Sequence, residues 1–85
     1  MQKEKIDVTV TYVGHEPFTD LVPPNTSLQS VKVHAMKSFN LEPDASDKYV
    51  LQYDGADVAD NRHVGDFNKE NVVLTLTLKQ DVNKG

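Results

Sequence analysis

The 85-residue sequence contains no cysteine and no long apolar run. Without cysteine the chain can form neither a disulfide nor a thiolate metal site, and it has no cysteine nucleophile or thiol redox chemistry. The N-terminal stretch lacks the apolar core of a signal peptide, and no segment approaches the length of a membrane span. These absences predict a cytoplasmic protein that does not enter a membrane.

Positive charge is also scarce. Lysine and arginine together number 9 against 13 aspartates and glutamates, which gives a formal net charge of −4. Proteins that bind nucleic acids draw much of their affinity from neutralising phosphates. Lys32 and Lys37 are too few to form a basic stripe on the predicted helix. The composition therefore predicts no nucleic-acid partner.

The sequence offers no recognisable catalytic or metal-binding motif. Its glycines are isolated, so no glycine-rich loop can cradle a phosphate. The histidines share no helical spacing, and no carboxylate cluster frames them: His15, His34 and His63. The segment "DGADVAD", residues 54–60, lacks the ligand spacing and the distal glutamate of a calcium loop. We therefore expect a protein that is not an enzyme and that binds no cofactor or metal.

Alternating apolar residues predict strands at both ends of the chain. Residues 5–13 alternate through Ile6, Val8 and Val10, which indicates a half-buried strand that ends at a Gly14 turn. Residues 16–22 predict the returning strand of a hairpin, in which Leu21 is out of phase unless a bulge intervenes. Residues 47–53 predict a short strand that ends in an Asp54-Gly55 turn, and residues 71–79 predict a final strand. One helical turn is expected near residues 64–67.

A helix is predicted at about residues 27–39. Apolar residues recur there at steps of three and four: Leu28, Val31, Ala35 and Phe39. Thr26 followed by Gln29 matches a capping box, and Ser27 is a rival cap one residue later. Asn40 is suited to a left-handed helix end.

The order of these elements predicts an α+β domain with the helix packed on one face of a four- to five-stranded mixed sheet. Leu76 and Leu78 are expected to face the helix. The predicted core has eight members: Ile6, Val8, Leu28, Val31, Phe39, Leu51, Leu74 and Leu76.

Two surfaces are candidates for binding a partner. The first is the sheet face turned away from the helix, where polar residues are expected to line up: Thr9, Thr11, Gln52, Thr75 and Thr77. Threonine also suits any solvated strand face, so the residue type alone does not establish an interface. The second is the outer side of the helix, predicted to carry Lys32, His34 and Lys37.

Three strings, in their order and spacing, resemble ubiquitin. They are "VPPNTSLQSVK" at residues 22–32, "DNRHVGDFN" at residues 60–68 and the "KEN" turn at residues 69–71. The resemblance covers roughly residues 6–79 and implies a ubiquitin-like β-grasp roll. The ending "LTLKQDVNKG" is also similar to bacterial ubiquitin-like proteins of small families found beside activating-enzyme and deubiquitinase-like genes.

The resemblance implies a monomeric small protein modifier. Residues 1–79 would form the ubiquitin-like domain, and residues 80–85 a flexible tail joined to targets through Gly85. An activating enzyme and a conjugating or deconjugating enzyme would be its partners.

Two departures from ubiquitin keep other functions open. Gln52 stands where ubiquitin has an exposed isoleucine that its partners recognise, and Lys84 stands where ubiquitin has a second glycine. The chain could instead be a binding module that is not conjugated. A sulfur carrier of the β-grasp type is less favoured, because those proteins normally end in two glycines. A polar chain end can also simply fray.

Overall fold

A five-stranded mixed sheet with one helix against it forms the fold. The computed structural model describes residues 5–79. The strands are β1 (Ile6–Thr11), β2 (Phe18–Val22), β3 (Tyr49–Tyr53), β4 (Ala56–Val58) and β5 (Asn71–Leu78), and the helix is α1 (Leu28–Ser38). Two 3-10 segments lie at Pro43–Lys48 and Val64–Phe67. The strand order is β2-β1-β5-β3-β4.

The first and last strands lie side by side in the middle of the sheet. β1 and β5 are parallel, whereas β2 pairs with β1, and β3 with both β5 and β4, in antiparallel fashion. The predicted α+β roll is confirmed, with five strands. The β1–β2 register is continuous from Ile6↔Val22 to Val10↔Phe18, so no bulge is needed. Leu21 is out of phase because its side chain lies in solvent, 57% exposed.

Helix α1 is one residue shorter at each end than predicted. Ser27, rather than Thr26, is its N-cap, and the Ser27 hydroxyl accepts a hydrogen bond from the Ser30 N–H at 3.2 Å. Two further amides at this end donate to carbonyl oxygens of the loop after β4, from Leu28 to Arg62 at 2.8 Å and from Gln29 to Asp60 at 3.1 Å. The N-terminal amides that a helix leaves unpaired are thus satisfied by a distant loop.

All eight predicted core residues are buried between α1 and the sheet. Leu78 is different: it was expected to face the helix, but 57% of its side chain is exposed. The pairing of β1 with β5 ends at Thr11↔Thr75, so among the described strands β3 alone flanks β5 at Leu78. Leu78 thus continues the face of β5 that carries Leu74 and Leu76 but is not covered. Alternation along one strand does not show where the neighbouring strand stops.

Lys32 was predicted on the outer side of the helix, and it is instead fully buried. Its Nζ lies 2.8 Å from Asp60 Oδ2 and donates to the Tyr49 carbonyl oxygen at 3.0 Å. A buried ammonium group is tolerated only when it is paired and hydrogen-bonded. Lys32 therefore links α1 both to the first residue of β3 and to the loop after β4.

The second 3-10 segment holds that loop against the turn before α1. The N–H groups of Val64 and Gly65 donate to the carbonyl oxygens of Thr26 and Pro24, at 3.0 and 2.8 Å. The Asp66 carboxylate accepts hydrogen bonds from the His63 N–H and from Arg62 Nε, each at 3.0 Å. These two hydrogen bonds lower the pKa of Asp66. The loop is thus held by hydrogen bonds to the turn before α1 and by hydrogen bonds within the loop itself.

Gly65→Ala is expected to destabilise the domain by about 1–3 kcal/mol, the usual cost of overpacking. A Cβ at position 65 would lie 2.8 Å from Pro24 Cβ and 3.0 Å from the Pro24 carbonyl oxygen. The loop would have to move away and lengthen the Gly65–Pro24 hydrogen bond. Urea unfolding measures the change. Gly55→Ala is the comparison for backbone strain alone, because residue 55 has open space around it and only its positive φ of 85° opposes alanine. An unchanged free energy of unfolding for Gly65→Ala would contradict the close contact with Pro24.

Candidate functional site

A polar row crosses four strands on the sheet face turned away from α1. Thr75 in the central strand pairs with Thr11 of β1 on one side and with Gln52 of β3 on the other. The Thr11 hydroxyl donates to the Leu74 carbonyl oxygen and lies 3.4 Å from the Thr75 hydroxyl. Gln52 Nε2 donates to Asp57 Oδ1 of β4 at 2.8 Å. The row therefore begins at Thr11 and ends at Asp57, with its amide and hydroxyl groups already oriented by neighbours.

The remaining two predicted face residues flank this row. Thr9 lies opposite Val73 and Thr77 opposite Val50. Val73 is 56% exposed, so it is an apolar member of the face that the sequence-based selection omitted. The structure brings all five predicted residues onto one surface, and their role as an interface stays a prediction.

The second predicted surface, on the helix, does not form as expected. Lys32 is buried, whereas His34 and Lys37 are exposed. A shallow depression near His34 is lined by residues of the first turns of α1 and its cap: Ser27, Gln29, Ser30, Val33 and His34. Without the Lys32 charge, this side of the helix has no cationic cluster that would recognise an acidic partner.

Residues 5–79 form neither a metal site nor a membrane-spanning helix. Among these residues, no group of three or more His, Asp or Glu side chains could hold a metal ion. No helix in the same range has the length and apolar character needed to cross a bilayer.

The C-terminal part of β5 borders a gap in the sheet. β5 continues three residues past its last pair with β1, from Thr75 to Leu78, while β1 turns away at Tyr12. A depression of about 270 Å³ lies there, which we call the notch. It is lined by Tyr12, Val13, Gln52, Thr75, Leu76, Thr77 and Leu78.

One wall of the notch is fixed by an aromatic cluster. The Tyr12 ring lies 5.5 Å from that of Phe39, 6.2 Å from that of Tyr49 and 5.2 Å from that of His15. His15 also contacts Phe39, with ring centroids 5.3 Å apart. Burial, followed by a hydrogen bond with Tyr12, raises the pKa of the Tyr49 phenol. Because Phe39 belongs to the core, these contacts hold Tyr12 in place beside the notch.

The sequence did not identify Val13 or Leu78 as site residues. Both are exposed, at 86% and 57%. Val13 was the last residue of a predicted strand, and Leu78 was expected to face the helix. Gly14 was the one sequence signal for the notch, because it indicates where the chain turns after β1.

The tail begins immediately after the notch. The Lys79 N–H donates to the Lys48 carbonyl oxygen at 2.9 Å, and this is the last described backbone hydrogen bond along the chain. Residues 80–85, with the predicted attachment residue Gly85, lie outside the described residues. The predicted boundary between domain and tail at 79/80 coincides with the limit of the described residues, so it stays a prediction.

Comparisons with known proteins identify the family and the fold. The family model described as BilA ubiquitin-like domain 2 matches residues 7–79. Among solved structures, the chain is similar to the ubiquitin of Caldiarchaeum subterraneum, with 17% identity, a TM-score of 0.73, and coverage of 93% of this chain and 99% of that one. A protein designed de novo on the basis of ubiquitin gives 12% identity, a TM-score of 0.75, and coverage of 99% and 100%. No curated protein matches the sequence.

Proposed function

Because the chain belongs to the BilA ubiquitin-like domain 2 family, we propose that it is a ubiquitin-like protein modifier attached to target proteins through Gly85. The observation that carries the proposal is the end of β5. In this β-grasp domain the last strand is central, and the sequence continues from its end at Leu78 for seven residues, 79–85, to a glycine. The domain itself performs no catalysis, and its protein partners supply the chemistry.

The tail has the length and the last residue that such a role requires. Six residues span about 20 Å when extended, at roughly 3.3–3.6 Å each, which carries the Gly85 carboxylate well clear of the sheet. Glycine has no Cβ, so an enzyme's backbone can approach the reacting carbon closely. Lys84 precedes it, so the active site of a partner must accommodate one long side chain.

The chemistry follows the ordinary route of carboxylate activation. The Gly85 carboxylate displaces pyrophosphate from ATP and becomes an acyl adenylate. A thiolate of the activating enzyme then displaces AMP to form a thioester, and a target amine displaces the thiolate to form an amide. Each step exchanges one leaving group for one nucleophile, so no oxidant or reductant is needed.

The polar row favours partners specific to this protein. Interfaces usually centre on buried apolar or aromatic side chains. At the centre of this face Gln52 is instead hydrogen-bonded to Asp57 and flanked by Thr75. General ubiquitin-binding domains, which need an apolar anchor at this position, are therefore expected to bind poorly.

Intact-mass spectrometry tests the proposal. The protein is incubated with ATP and its cognate activating enzyme, and adducts are sought as an adenylate, a thioester or an amide. An adduct located on Gly85 by fragmentation supports the modifier function. No adduct with an enzyme that adenylates another substrate would count against it.

Two other outcomes would assign a different function. A stable partner complex without any adduct would support a binding module that is not conjugated, which the polar row and the single glycine favour. A gain of about 16 Da on the Gly85 carboxyl group, oxygen replaced by sulfur, would indicate a sulfur carrier.

A further inference from the structure

Within residues 5–79, no strand pairs with the β1-side edge of β5 beyond Thr75. Along β5 the backbone groups of alternate residues point to opposite sides. The Glu70 carbonyl oxygen accepts from Asp7 N–H on the β1 side, whereas the Lys79 N–H donates to Lys48 on the β3 side. The N–H and C=O groups of Leu78 therefore point to the β1 side, where β1 has already ended.

We propose that the notch is the docking site for a short extended segment of the enzyme that handles residues 80–85, and that this segment pairs with Leu76–Leu78 as an added strand. The inference rests on the proposed modifier function and names a partner surface for it. Strand addition at an open edge gains affinity from main-chain hydrogen bonds and specificity from side-chain contacts. The backbone groups of Leu78 offer the hydrogen bonds, and the exposed side chains of Val13 and Leu78 offer the contacts.

The position of the tail identifies the occupant. Residues 80–85 follow Lys79 directly in the sequence, and six residues span at most about 20 Å. An enzyme that holds the Gly85 carboxylate in its active site must therefore lie close to the notch. A segment that pairs with Leu78 would fix the direction in which the tail enters that enzyme.

The shape of the notch specifies the chemistry of the segment. On the α1 side the notch presents the Tyr12 ring and the exposed part of Leu78, so an aliphatic or aromatic side chain fits there. On the other side it presents Thr75, Thr77 and Gln52, which suit a hydroxyl or amide side chain. Successive residues of a strand point to opposite faces, so an alternating apolar–polar segment satisfies both.

The notch is already formed in the free protein. Tyr12 is held by its ring contacts with Phe39 and Tyr49, and β5 is held on its other side by β3. A preformed site reduces the ordering cost of binding. Association therefore does not have to order the notch itself.

ATP–pyrophosphate exchange with the purified cognate activating enzyme tests the inference. We expect the double variant Val13→Ser/Leu78→Ser to raise the KM for the protein about tenfold or more and to leave kcat near its original value. Leu21→Ser is the matched control, since Leu21 is also 57% exposed but lies on β2, opposite Asp7 at the other end of the sheet. It should change KM less than twofold. Urea unfolding of all variants checks that they remain folded.

Hydrogen exchange supplies a second readout that does not depend on any substitution. The Leu78 amide should exchange quickly in the free protein and slow by about tenfold or more when the enzyme is bound. Equal KM values for the double variant and Leu21→Ser would contradict docking at the notch, and so would a hydrogen-exchange rate of the Leu78 amide that does not change on binding. ATP–pyrophosphate exchange with the wild-type protein would still support the modifier function in either case.

Two results would contradict an enzyme segment as the partner at the notch. If the enzyme, active on another substrate, gives no exchange with the wild-type protein, the modifier function and the notch proposal both fall. If removing residues 80–85 accelerates exchange of the Leu78 amide in the free protein, the chain's own tail covers the edge, and the enzyme segment is the wrong occupant.

Discussion

A chain that ends at Lys84 is expected to form no ATP-dependent adduct, with a loss of at least about 100-fold relative to the full sequence. Deletion of Gly85 still leaves a carboxylate, but it moves that group back by one residue, roughly 3.3–3.6 Å, and places it on a carbon with a long side chain. A misplacement of about 1 Å at a reacting centre already costs about 100-fold in rate. Intact mass and pyrophosphate exchange both measure the loss.

Two substitutions at the same end separate position from bulk. Gly85→Ala keeps the carboxylate in place and adds only a Cβ, so we expect a smaller loss than the deletion causes. Lys84→Gly provides two consecutive glycines and is expected to keep full activity. Adducts that survive the deletion at undiminished yield would place the attachment elsewhere and contradict the role of Gly85.

Lys32→Ala is expected to destabilise the domain by about 3 kcal/mol, near the lower end of the range for breaking a buried ion pair. The substitution removes the donor to the Tyr49 carbonyl oxygen and the partner of Asp60, and it leaves a space where the aliphatic stem lies. A domain of this size has a total stability of roughly 4–13 kcal/mol. Urea unfolding should therefore show a large shift in midpoint, and the melting temperature should fall by more than about 10 °C.

Two control variants identify the origin of that loss. Lys37→Ala, on the exposed side of the same helix, should change the free energy of unfolding by less than about 0.5 kcal/mol. Lys32→Met keeps most of the stem but no ammonium group, and Asp60, whose side chain is 40% exposed, can then be solvated. We expect it to lose about half as much as alanine does. A loss for Lys32→Ala no larger than that for Lys37→Ala would contradict the structural role of the buried lysine.

Most of the fold could be predicted from the spacing of apolar residues and from the residues that end helices and strands. Alternation located the strands at both ends, the three-and-four spacing located α1, and Asn40 ended it in the left-handed conformation, with φ of 64°. The three-residue strand β4 was missed because so short a segment has no period to detect. The capping box predicted from Thr26 and Gln29 does not form. Ser27 is the cap, and the Leu28 and Gln29 N–H groups donate to carbonyl oxygens of the loop after β4.

The burial of Lys32 could not be predicted from the sequence alone. Lys32 lies four residues after Leu28 and four before Met36, both buried, so its spacing placed it on the inner face, but its charge suggested an outer one. Only the fold shows that Asp60, far along the chain, reaches its ammonium group. The notch was hidden for a similar reason, because it depends on where β1 ends relative to β5.

The central position of β5 determines how the protein responds to mechanical load. A target joined through the tail would pull on β5 along its own axis, while β1 and β3 hold it on either side. Sheet hydrogen bonds run across the strands, so a pull along β5 loads the β3 ladder in shear from Leu78 and the β1 ladder in shear from Thr75. An unfoldase that pulled on a target joined through the tail would therefore load the central strand β5 before the edge strands β2 and β4.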